Sequence, residues 1–230
     1  MALSIICLAT CLVLTIIFIA VRTIRGGVAG VLTKTLASVA FVSAGIIAMF
    51  SASGGINYGL IVIGLVFGLV GDILLDLKVI YKEHQNAYLN AGMLSFGLGH
   101  VCYATGLSLF ATETSTIWLC VVIALGVAVV VAPLIMLISK GMKLDFGKFF
   151  VQSLIYAFIL VFMVAYSISL SVKTPLMYIS AVGLFLFLLS DLVLSLQYFG
   201  NKQDNKPLII INHTLYYLAQ ISLVAFLFFV

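Results

Sequence analysis

The feature that most constrains this chain is a succession of long apolar runs. Eight can be read: Leu3–Val21, Val31–Phe50, Asn57–Leu77, Asn86–Phe110, Ile117–Ile138, Phe149–Leu170, Pro175–Leu196 and Leu208–Phe229. A helix needs roughly 20 residues to cross the hydrocarbon of a bilayer. Strands of a membrane barrel are about half as long and alternate in polarity, which these runs do not. The expected fold class is all-α: a polytopic membrane protein with eight transmembrane helices in a single transmembrane domain over residues 1–230. Composition agrees, with 64% hydrophobic and 8% charged residues. Soluble domains carry roughly 25% charged residues, so a soluble enzyme and a disordered chain are excluded. With 11 basic and 7 acidic residues the chain is also too poor in cations to track nucleic acid, and no such partner is expected. The first run has no basic segment before it and no small-residue cleavage site, so it reads as a span and not a signal peptide. Cys7, Cys11, Cys102 and Cys120 all fall in apolar runs and read as small buried hydrophobes.

Charge orients the chain. Loops 1, 3, 5 and 7 hold Arg22, Arg25, Lys78, Lys82, Lys140, Lys143, Lys148, Lys202 and Lys206, whereas loops 2, 4 and 6 hold only Lys173. The positive-inside rule places the odd loops in the cytoplasm and both termini outside a cell membrane, with bacterial origin the expectation.

A weak internal repeat is visible. GLVFGLVGDILLDL, Gly64 to Leu77, aligns without gaps on GLFLFLLSDLVLSL, Gly183 to Leu196, at an offset of 119 residues. Asp72 falls on Asp191 and Gly71 on Ser190. Each segment precedes an H-x-x-Y, His100–Tyr103 and His213–Tyr216. Two four-helix halves in parallel orientation would produce this pattern.

Ionisable groups inside a span are expensive and point to function or to helix-pairing bonds. Six fall in the runs: Asp72, Asp76, Asp191, Lys34, His100 and His213. Their depths coincide. Asp72 lies six residues before Lys78, about 9 Å along the axis. Asp191 lies in the inner half of its run, and Lys34 lies at the cytoplasmic start of the second. Gln152 and Tyr156, one turn apart, begin the sixth. His213, Tyr216, Tyr217 and Gln220 form a stripe on the eighth, and His100 and Tyr103 sit near mid-membrane. A shared depth is expected of one polar chamber open toward the cytoplasmic leaflet. Asp76 is near enough to the interface to pair with Lys78 or Lys82 instead.

Two carboxyls in low dielectric can divide acid–base work, one protonated and one ionised. That division suits cleavage through an oxocarbenium-like state. Lys34 would hold a phosphate head group or neutralise an aspartate. No G-x-S-x-G elbow, Gly-rich phosphate loop or H-E-x-x-H zinc pattern occurs, and no metal or cofactor is expected.

The segments GLVFGLVGDILLDL, GLGHVCY (Gly97–Tyr103), FLLSDLVLSL and YYLAQ (Tyr216–Gln220), in this order and spacing, resemble the YhhN-like lysoplasmalogenase family. Lys34 also fits, although Thr35 stands where the family usually has proline, and Tyr156–Ala157 is similar to a further family signature. The resemblance runs from Lys34 to Gln220. It implies an eight-span ether hydrolase that cuts the vinyl ether of a lysoplasmalogen to a fatty aldehyde and a glycerophospho head group. The partners implied are a lysolipid substrate and membrane lipids; no protein partner is indicated. The implied catalytic residues are Asp72, Asp191, Asp76 and His100. Those implied for substrate binding are Lys34, Tyr103, Tyr156, Tyr216 and Gln220. His213 lies outside the family pattern. One of Asp72 and Asp191 would be the acid and the other the base, and the sequence does not assign which. The alternative is a transporter or lipid-binding membrane protein with a cytoplasmic-side polar cavity. It should show access from both leaflets and broken helices, yet Pro133 is the one mid-span proline.

Overall fold

The structure is a computed structural model describing residues 1–111, 114–202 and 204–230. Among these residues it contains eight long helices: α1 (Ala2–Ile24), α2 (Gly27–Ser51), α3 (Ile56–Ile80), α4 (Gln85–Ser108), α5 (Thr114–Gly141), α6 (Phe150–Ser171), α7 (Tyr178–Tyr198) and α8 (Lys206–Phe229). Each corresponds to one of the eight apolar runs, although α4 stops at Ser108, two residues short of its run, and short 3₁₀ turns hold Phe149 and Pro175–Met177 at the starts of the sixth and seventh. Helices are the form in which such runs satisfy every backbone group within the segment.

Seven of the eight are long and apolar enough to cross a membrane, as an integral membrane protein requires; α4 is the exception. Its sequence explains this. Gln85, Asn86, Asn90, His100 and four glycines dilute its hydropathy. Polar residues such as Ser95 and His100 are buried within the protein instead of facing out. By contrast, α1 and α5 expose Ile5, Ile16, Val122, Val129 and other aliphatic side chains, as suits a lipid-facing surface.

Contacts divide the chain into two compact units. Unit 1 is Met1–Phe110 with Gln220–Val230, and unit 2 is Ala111–Ala219. In unit 1, α1 packs on α2, α2 on α3, and α3 on α4. In unit 2, α5 packs on α6 and α6 on α7.

The α1–α2 connection is two residues long. Gly26 and Gly27 both have positive φ, 61° and 54°, which glycine adopts without a Cβ penalty. This tight link fixes the end of α1 against the start of α2.

The α3–α4 pairing is a glycine seam in antiparallel register. Gly64 faces Gly99, Gly71 faces Gly92, and Asn57 faces Gly106, so contacts recur every seven residues. A Cβ on Gly99 would lie 3.1 Å from the Gly64 carbonyl oxygen, and one on Gly106 would lie 3.1 Å from that of Asn57. Small residues let membrane helices approach closely, where dispersion and interhelical bonds replace a hydrophobic driving force. The Ser95 hydroxyl donates across this seam to the Phe67 carbonyl at 2.7 Å.

Candidate functional site

Unit 1 holds the first polar cluster, and α2 and α3 build it. Gly30, Lys34 and Ser38 are spaced four apart and share one face of α2. Asp72 and Asp76 have the same spacing on α3. The two stripes meet. Lys34 Nζ lies 3.2 Å from Asp72 Oδ1 and 3.4 Å from Asp76 Oδ1, bridging the carboxylates. The Ser38 hydroxyl donates to the other Asp72 oxygen at 2.5 Å. Asp72 is only 2% exposed and Lys34 4%. A buried ion pair offsets its desolvation only when geometry and extra hydrogen bonds are good, and here both Asp72 oxygens are engaged.

The cluster extends to α1. Arg22 NH1 lies 3.3 Å from Asp76 Oδ2, and NH2 lies 3.3 Å from Asp76 Oδ1, a two-pronged contact. Lys78 is close enough to interact electrostatically with Lys34, Asp76 and Arg22. Two carboxylates therefore face cations drawn from α1, α2 and α3.

This corrects two expectations. Of the two cations expected beside Asp76, Lys78 does lie within electrostatic reach, Lys82 is exposed in the turn that follows α3, and Arg22 and Lys34 make the ion pairs. Arg22 and Lys78 are also not loop residues: α1 continues to Ile24 and α3 to Ile80, so both side chains start from helix and reach the cluster. Arg22, Ser38 and Lys78 were not among the expected site residues. The four-residue spacing from Lys34 would have found Ser38. No comparable signal marks Arg22, whose place depends on the glycine turn after it.

A second group in unit 1 joins α4 to the C-terminal half of α8. The Tyr103 hydroxyl donates to Gln220 Oε1 at 3.3 Å, and both residues are buried. His100 Nδ1 lies 2.8 Å from the Phe96 carbonyl. As donor there, Nδ1 carries the proton and Nε2 presents its lone pair. The His100 ring stands edge-on to Tyr103, with centroids 5.7 Å apart. The Asp72 charge acts on the Tyr103 phenol, so the two groups are electrically connected.

Unit 2 holds its own polar group. Tyr156 on α6 and Asp191 on α7 interact through their side chains. Asp191 is half-buried. Beside it, Asn212 on α8 donates Nδ2 to the Ser190 carbonyl at 2.7 Å and lies 3.2 Å from the Ser190 hydroxyl. Tyr216 packs edge-on to Phe187 and Tyr217, with centroids 5.4 and 5.1 Å away. His213 is buried on the same helix. Gln152 is exposed, which removes it from the expected polar set although Tyr156 lies one turn away.

Of the expected residues, unit 1 thus gathers Lys34, Asp72 and Asp76 in one ion cluster, with His100, Tyr103 and Gln220 beside it. Unit 2 gathers Tyr156 and Asp191. The first cluster can hold an ionised carboxylate away from water and place a cation next to it, which is the equipment for stabilising a charged intermediate.

No curated protein and no solved structure matches the chain. A protein-family match covers residues 29–227, nearly the whole helical region and every residue of both clusters except Arg22. The chain belongs to the YhhN family.

Proposed function

We propose that this protein is an integral-membrane hydrolase that cleaves the vinyl ether of a lysoplasmalogen-type lysolipid. Membership of the YhhN family supports a hydrolase, and the sequence resemblance to its lysoplasmalogenases names the bond. The observation that carries the reading is Asp72, held at depth between the Lys34 ammonium and the Ser38 hydroxyl. A carboxylate placed there is costly and is kept for a purpose.

The reaction adds water across a vinyl ether. A general acid gives its proton to the β-carbon, leaving an oxocarbenium ion, and recovers that proton from solvent after water has been deprotonated. Water attacks the adjacent carbon and loses a proton, and the hemiacetal collapses to a fatty aldehyde and a free glycerol hydroxyl. Asp72 is the carboxylate that steadies the cation and accepts the proton of the attacking water. Lys34 keeps it ionised between turnovers, and Ser38 fixes its second oxygen. His100, Tyr103 and Gln220 orient water or the glycerol hydroxyls. Asp191 is the other carboxyl named by the sequence, and its share in the reaction is read from its own variant.

The same reading makes α4 the eighth span. Its 24 residues are long enough, and its polar side chains are turned inward. The basic residues at the ends of the odd connections favour a reading with both termini outside and the ion cluster toward the cytoplasmic leaflet. The match of Gly64–Leu77 with Gly183–Leu196 supports two parallel four-helix halves.

Purified protein in lipid nanodiscs is given a lysoplasmalogen, and aldehyde release is followed. Release by the wild-type protein is expected. An absence of aldehyde, with uptake of the lysolipid or another solute into proteoliposomes, would replace the hydrolase by a transporter.

A further inference from the structure

Arg22 stands outside the family match, outside the expected site and in the last turn of α1, yet its guanidinium grips Asp76 with two nitrogens. We propose that Arg22 is a positioning residue of the candidate active site, which holds Asp76 so that Lys34 stays on Asp72; the proposal rests on the hydrolase reading.

The geometry makes Lys34 a shared cation. Its Nζ is 3.2 Å from Asp72 and 3.4 Å from Asp76. Arg22 supplies Asp76 with a second positive charge at 3.3 Å. Without that charge Asp76 draws harder on Lys34, the ammonium moves toward it, and Asp72 loses part of its counter-ion. Arg22 thus acts on the reacting carboxylate through two intermediaries and does not need to touch substrate.

The local chain is shaped for this contact. The Gly26–Gly27 turn brings the end of α1 onto α2. Gly30 leaves room for the arginine: a Cβ there would sit 3.0 Å from Arg22 Cδ and 3.1 Å from NH1. Gly30 lies one turn before Lys34, so the arginine stem crosses α2 directly below the lysine. The Arg22 side chain is only 15% exposed, and its charge also suits the negative end of the α1 dipole. Arginine is the cation that can grip a carboxylate with two parallel nitrogens, which lysine cannot.

Aldehyde release is measured for wild type, Arg22→Ala, Arg22→Lys, Asp76→Asn and the Arg22→Ala/Asp76→Asn double variant, each checked for monodispersity and melting temperature. Displacement of reacting groups by about 1 Å costs on the order of 10²-fold in rate. Arg22→Ala should therefore lower kcat by about 10- to 100-fold, with KM little changed. Arg22→Lys, which restores charge without the fork, should recover part of the loss. The double variant should be no slower than Asp76→Asn alone, because Arg22 acts through that carboxylate. Wild-type kcat in Arg22→Ala, or losses that multiply in the double variant, would overturn the positioning role while leaving the hydrolase reading intact. A wild-type protein that releases no aldehyde overturns the hydrolase reading, and the positioning role falls with it. An Arg22→Ala protein too unstable to assay transfers the decision to Gly30→Ala, which keeps the arginine and crowds it. That variant should also lose kcat, and unchanged kcat would overturn the proposal.

Discussion

The segments around Asp72 on α3 and Asp191 on α7 align residue for residue, but the structure surrounds them differently. Asp72 is buried and bound by a lysine and a serine of α2. Asp191 is half-buried and meets a tyrosine of α6, a helix with no lysine or arginine. Asp76, the second acid of α3, corresponds to Ser195 on α7, whose hydroxyl bonds back to the Leu192 carbonyl of its own helix at 2.7 Å. Gly71 corresponds to Ser190. The glycine admits the Phe96 ring of α4, while the serine takes a hydrogen bond from Asn212 of α8. A similar sequence has thus been fitted to two tasks. On α3 it carries charge balanced by cations and packs tightly; on α7 it carries an acid that meets the Tyr156 phenol, next to a serine bonded to Asn212. The charges of α3 draw cations from two other helices, α1 and α2.

The largest expected effect sharpens that contrast. Acid–base groups contribute about 10²- to 10⁴-fold to rate. Asp72→Asn should reach the upper part of this range, because it removes the carboxylate and also frees Lys34 to settle on Asp76. Asp191→Asn, which removes the acid that meets the Tyr156 phenol, should cost nearer about 10²-fold. Single-turnover aldehyde release at saturating lysolipid measures both. Equal losses would show that the two copies of the motif are functionally alike despite their different partners, and unchanged release in both would sink the carboxylate mechanism.

A smaller effect is expected where the motif differs in size. A Cβ on Gly71 would lie 2.7 and 2.8 Å from two atoms of the Phe96 ring. That ring is itself packed in the α3–α4 seam and has little room to yield. Gly71→Ala should destabilise by about 1–3 kcal/mol, the usual cost of overpacking a core. Unfolding of the purified variant in graded denaturing detergent reads this. A loss below the resolution of that measurement would mean that the seam is looser than its register implies.

The helices were legible because apolar length is a property of the sequence itself, and each run became a helix. Asp72, Asp76 and Lys34 were legible because charge is scarce and their positions within the runs could be compared. Which acid pairs with which base was not. Asp76 was expected to meet Lys78 or Lys82; Lys78 does act on it, but the arginine that grips it was hidden, because ion pairs depend on where neighbouring helices end, and α1 ends beside α3 through a turn made by Gly26 and Gly27. Ser38 is one of many serines in the chain, and only its distance from Lys34 along α2 distinguishes it. The glycine seam was also hidden: Gly64 and Gly71 repeat at seven, as do Gly92, Gly99 and Gly106, but the meaning of that repeat appears only when α3 and α4 are antiparallel.

The smallest effect lies at the matched position on α7. Ser190→Ala removes the hydroxyl that sits 3.2 Å from Asn212 Nδ2. The same amide keeps its shorter bond, 2.7 Å, to the Ser190 carbonyl, which the substitution leaves in place. Asn212 therefore retains its better acceptor. Interhelical hydrogen bonds inside membranes are worth about 0.6 kcal/mol on average, and Ser190→Ala should cost no more than that. Asn212→Ala removes both contacts and should cost more, so the pair of variants separates the hydroxyl from the carbonyl in the same unfolding measurement. Should Ser190→Ala prove as damaging as Gly71→Ala, the hydroxyl rather than the backbone would be what ties α7 to α8.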